Sequence, residues 1–220
     1  MKIRFAFHSP KGERGVGKAI VGWTWILGCF YNWKVLKYNF SHVEVWLPDK
    51  NGRFWDIETC GSELIGFLGG KPYYYPQFKG SPTYLGQCFS STTRGVYNGV
   101  RFAPAHEVIG KHPERWSYIE CDVDADRLEV AIEEAKRLVG LKYDFWALFG
   151  FFNPLPLIGN LVKMVLRIKK MPVRDNIEWY CSEICNWFGA LCRVCKRDKR
   201  ISPRRFCYVL AKRWHEPRKV

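Results

Sequence analysis

The run Ser41-His42-Val43-Glu44-Val45-Trp46-Leu47 constrains this chain more than any other stretch, because its apolar residues recur at every second position. A period of two belongs to a β-strand, whose successive side chains point to opposite faces. Val43, Val45 and Leu47 therefore share one face and demand a core, while His42, Glu44 and Trp46 share the other. A strand backbone sets the direction of a side chain rigidly, as a general base requires. A turn follows at 48–52, and 53–59 (RFWDIET) is expected to return as a second strand, giving a hairpin.

Other short segments carry strand patterns: residues 2–8, 86–95, 98–104 and 117–124. Residues 18–30 have helix-like apolar spacing, and 124–140 (DADRLEVAIEEAKRLVG) form the clearest helix, with Asp124 or Asp126 as cap and Gly140 as stop. An α+β fold with an antiparallel sheet is expected, on the family resemblance set out below. At 220 residues and 47% hydrophobic, the chain is expected to make one domain over residues 1–220. Two stretches depart from the pattern and are expected as insertions: a Gly-, Pro- and Tyr-rich loop at about 60–86, and an apolar segment at about 146–170 broken by Pro154 and Pro156.

The stretch WYCSEICNW, residues 179–187, poses the chemical question. Pro172 and Asn176 make the preceding residues poor helix formers, whereas Ile184, Cys185, Phe188 and Leu191 fall at helical spacing from Cys181 onward. Cys181 is thus expected in the first turn of a helix, where the dipole favours a thiolate. Of the five histidines, only His42 stands within a strand whose opposite face is apolar, so it is the candidate base. A third group normally orients the base. A three-residue hairpin loop would set Glu58 beside His42; Glu44 is the alternative on the same strand, and Ser90 or Ser91 would serve if the residues from 53 to 86 are inserted.

Taken in order, Ser41-His42-Val43, a strand with an acid, Gly140 with Tyr143-Asp144-Phe145, and Tyr180-Cys181-Ser182-Glu183-Ile184 resemble the permuted papain-like hydrolases related to NlpC-type cell-wall peptidases, the YiiX-like group. In that group the histidine strand precedes the cysteine helix. The resemblance implies a circularly permuted papain-like fold with the sheet packed on the cysteine helix. It also implies Cys181 as nucleophile, His42 as base, Glu58 as orienting residue and Tyr143 near the thiol as an aid to the oxyanion site. It implies cleavage of amide bonds in cell-wall peptides. Related folds also carry lipid acyl hydrolases and acyltransferases. The runs SHVEVW, FSSTTRG and GVRF look like small phage-encoded members.

The remaining features concern partners and compartment. A net charge of +14 attracts anionic substrates or surfaces, such as wall polymers or lipid headgroups. The apolar 146–170 segment with Arg167-Ile168-Lys169-Lys170 behind it suits an interfacial membrane contact rather than a span. The basic run at 196–205 has no signature for specific nucleic-acid reading. A non-catalytic module binding a membrane or nucleic acid is the alternative of a different class. The opening residues lack an apolar signal core, so a cytoplasmic protein with nine reduced cysteines is expected. Cys181, Cys185, Cys192 and Cys195 have zinc-like spacing, but GALCRVC reads as continued helix with core sulfurs, so neither metal nor cofactor is expected.

Overall fold

The computed structural model describes residues 1–10, 37–49, 52–54, 64–68, 71–74, 86–92, 99–110, 112–143, 180–198 and 201–220. Eight strands lie among these: β1 (Lys2–His8), β2 (His42–Trp46), β3 (Leu64–Leu68), β4 (Lys71–Tyr74), β5 (Gln87–Thr92), β6 (Gly99–Pro104), β7 (Trp116–Asp122) and β8 (Arg218–Lys219). The described helices are α1 (Ala105–Val108), α2 (Ala125–Leu138), α3 (Cys181–Leu191) and α4 (Pro203–Arg213). Six strands form one antiparallel sheet in the order β6-β5-β2-β1-β7-β8. The architecture is therefore α+β, as expected.

Alternation decides what each face of the sheet carries. Ile3, Phe5 and Phe7 of β1, Val43 and Val45 of β2, Phe89 of β5 and Ile119 of β7 enter the main core beneath α2, α3 and α4. Phe89 packs on Phe188 of α3 with ring centroids 5.5 Å apart, and Phe5 meets Phe206 of α4 edge-on at 5.2 Å. Ala6, Trp46, Cys88, Ala105, Ile109 and Trp116 form a smaller cluster around the other residues of these strands. Every residue of β2 is buried, the polar ones included. Buried polar side chains must find partners.

Helix α2 begins and ends where its signals fall. Asp124 accepts the Arg127 N–H at 3.1 Å, and Gly140 closes the turn at φ +89°. The chain then passes along the β6 edge, where Gly140 N donates to Val100 O at 2.9 Å and Val100 N to Leu141 O at 2.8 Å. Gly99 makes this approach possible: at φ +114°, a Cβ there would sit 2.0 Å from Leu141 O.

Two expectations are corrected. The turn at 49–52 forms, with Gly52 N donating to Asp49 O, but the strand beside β2 is β5, so the hairpin register that sets 42 opposite 58 is not made. His42 instead lies opposite His8 of β1. A strand covered on both faces favours a neighbour apolar on both, as Cys88 and Phe89 are, whereas RFWDIET would bury Asp56 and Glu58 together. The 60–86 region, expected as a loop or an excursion from the core, contains the separate β3–β4 hairpin. Finally, GALCRVC does not continue the helix. Val194 N bonds Gly189 O and Arg193 N bonds Ala190 O around Arg193 at φ +56°, a Schellman stop whose left-handed residue is not glycine. The helix expected at 18–30 and the insertion expected at 146–170 lie outside the described residues. Among the described residues, no helix is long and apolar enough to cross a membrane.

Candidate active site

The first residue of α3 meets the first residue of β2. Cys181 opens its helix as expected, and its sulfur lies close enough to His42 to favour the charged imidazole. They are brought together because α3 lays Ile184, Cys185 and Phe188 into the core over β2 and β5. Both groups are nearly enclosed, Cys181 at 4% exposure and His42 at 8%. The first helical hydrogen bond is Ile184 N to Tyr180 O, and Tyr180 contributes no side-chain cap. The N–H groups of Cys181, Ser182 and Glu183 thus have no acceptor within the helix.

The carboxylate at the histidine is Glu44. His42 Nε2 and Glu44 Oε1 are 2.7 Å apart, two residues along one strand and therefore on one face. Glu44 is fully buried and gripped from β6: Arg101 Nη2 donates to Oε1 at 2.8 Å and Nη1 to Oε2 at 3.0 Å. Small residues make the reach possible. Ala6 lies opposite Glu44 on β1, and Ser90, the β5 residue next in the β2 register, is the cross-strand partner of Arg101.

Charge on these groups follows from the contacts. Burial works against a charged His42, but the Cys181 sulfur and then Glu44 together push it up to about 9. For Glu44, burial favours the neutral acid, yet the Arg101 charge and the bond to His42 hold it down at about 2. Imidazole, carboxylate and guanidinium thus form a row in which each charge favours the next, with the Cys181 sulfur at the end of it. Burial raises the Cys88 and Cys185 thiols well above their usual range, holds Cys192 and Cys195 up at about 12, and raises Cys121 and Cys207 as well.

Of the residues singled out from sequence, Cys181, His42 and Glu44 come together. Glu58 lies outside the described residues. Ser90 Oγ donates to Val43 O at 2.8 Å, and the Ser91 hydroxyl is buried without a hydrogen bond, so neither serine holds the imidazole. Tyr143 is half-buried in a one-residue bridge just past the segment pinned to β6. Two neighbours escaped the sequence reading. Trp116 sets its ring edge-on to His8 and His42, with centroids 4.9 and 6.3 Å away, and Arg101 completes the row. An arginine within an otherwise apolar strand, GVRFAP, was the available signal for the second. Among the described residues no three metal-ligating side chains converge. Compared with known protein families, curated proteins and solved structures, the chain has no match.

Proposed function

We propose that the protein is a thiol hydrolase of the permuted papain-like kind, with Cys181 as nucleophile, His42 as acid and base, and Glu44 as the orienting carboxylate. The observation that carries this reading is His42 itself, 2.7 Å from Glu44 Oε1 and with the Cys181 sulfur beside it favouring its charge. An imidazolium next to a sulfur at a helix start favours the thiolate, the nucleophilic form. The order of elements, histidine strand before cysteine helix, agrees with the permuted arrangement.

In the reaction the Cys181 sulfur adds to an amide carbonyl carbon, forming the C–S bond while the carbonyl pair moves to oxygen. The N–H groups at the start of α3 would receive that oxyanion. His42 gives its proton to the amide nitrogen, the C–N bond breaks, and an acyl thioester remains. Water, deprotonated by His42, then adds to the thioester carbonyl, and the thiolate leaves. The substrate class that fits the resemblance and the positive charge is the peptide of an anionic cell wall. An acyl ester of lipid is the competing substrate.

Competitive alkylation with iodoacetamide tests the reading at mildly acidic pH. Cys181 should label at least about tenfold faster than any other cysteine, because burial keeps the described others protonated. Uniform slow labelling would refute a nucleophilic site and leave a binding module. Product analysis on wall peptides and on acyl esters, with Cys181→Ala as the blank, then separates the two substrates.

A further inference from the structure

We propose that Arg101 is the positioning residue of this site, its two-pronged grip fixing the Glu44 carboxylate in the orientation that holds His42 against Cys181. The inference rests on the thiol-hydrolase reading and adds a fourth member to it.

Three features of the sheet support it. First, Arg101 comes from β6, two strands away from β2, roughly 10 Å in the hydrogen-bonding direction, so only a long side chain lying along the sheet reaches Glu44. Its path is open because the intervening position is Ser90, whose hydroxyl is turned to Val43 O. Second, both guanidinium nitrogens engage both carboxylate oxygens, a fork that fixes orientation as well as charge. Lysine, a point donor, cannot reproduce it. Third, Glu44 Oε1 is shared between Arg101 and His42, so rotation of the carboxylate breaks both contacts together.

The groups that face Glu44 define what is lost without Arg101. His42 lies on its own strand, Arg101 on β6, and the Cys88 and Cys185 thiols approach from β5 and α3; Ala6 is its partner on β1. Neither thiol carries charge at neutral pH, because burial raises both. Among the described residues Arg101 is therefore the only permanent cation facing Glu44. Without it, a fully enclosed carboxylate has the imidazole alone to offset its desolvation, and it takes up a proton at higher pH. A neutral, free-turning carboxyl holds the imidazolium poorly.

The test measures the rate of Cys181 alkylation against pH in the full chain, for wild type, Arg101→Gln, Arg101→Lys, Glu44→Gln and the double variant Glu44→Gln/Arg101→Gln. Arg101→Gln is expected to slow labelling at mildly acidic pH by about tenfold or more, with the acid limb moved up by about one pH unit. Arg101→Lys should fall between, several-fold below wild type, because charge is kept and the fork is lost. In the Glu44→Gln background the Arg101 substitution should change little, since the group it positions is gone. If Arg101→Gln does not fold by circular dichroism, Arg101→Lys and the charge-neutral double variant carry the comparison. Wild-type pH profiles in the folded Arg101 variants, or an equal loss with and without Glu44, overturn the role of Arg101. Selective labelling of wild-type Cys181 in the same series would keep the hydrolase reading standing when the Arg101 inference falls, and its absence would remove both.

Discussion

Replacing Cys181 with alanine removes the partner that most favours a protonated His42, and the size of the effect follows from the contacts. The imidazole stands at about 9 against an ordinary 6.5. That gap of roughly two and a half pH units is worth about 3 kcal/mol between the protonated and neutral forms. Burial opposes it, so the favourable interactions together exceed it. The two largest of these come from the Cys181 sulfur and the two smaller from Glu44. Cys181 is therefore the main support of the charged form, and in Cys181→Ala the imidazole should titrate well below its wild-type value. Glu44→Gln should lower it less, giving the order wild type, Glu44→Gln, Cys181→Ala from highest to lowest. Following the His42 ring signals by NMR through a pH titration reads all three directly. A His42 still near 9 without the sulfur, or a larger drop from Glu44→Gln, would show that the thiol is not the main partner of the imidazole and undo the nucleophile assignment.

Two further outcomes concern stability. The Glu44 carboxyl is held below its ordinary 4.5, down to about 2, so its contribution is complete above 4.5 and lost as pH falls through about 2. Denaturant unfolding should therefore show wild type losing about 3 kcal/mol more than Glu44→Gln between pH 5 and pH 2, and parallel losses would contradict the burial and pairing of this group. Gly99→Ala places a methyl 2.0 Å from Leu141 O at a left-handed φ, and should cost about 2–4 kcal/mol of unfolding free energy; an unchanged denaturation midpoint would mean the α2–β6 seam is not packed this way.

Local signals were read correctly where one element decides its own form. Asp124 and Gly140 bound α2 because a cap and a left-handed stop act over a few residues. Cys181 heads α3 because apolar spacing starts there. The C-terminal stretch shows how charge obscures such a signal: 196–205 reads as a basic run, yet Ser202 caps a helix there, Pro203 starts it, and Phe206, Cys207 and Leu210 bury one face. Its arginines and lysines drew attention from a stripe of period 3.6 that was present all along.

The alternation of 42–47 and the spacing after Cys181 were enough to specify a strand-borne imidazole and a helix-borne thiol, because periodicity is a property of one segment. Which carboxylate serves that imidazole was not, since Glu44 and Glu58 differ only in which strand lies beside β2. Strand pairing is chosen by the burial of both sheet faces at once, a requirement spread over β1, β5, β6 and three helices. The same choice set Arg101 within reach of Glu44 across Ser90, a contact between positions 57 residues apart that only the assembled sheet creates.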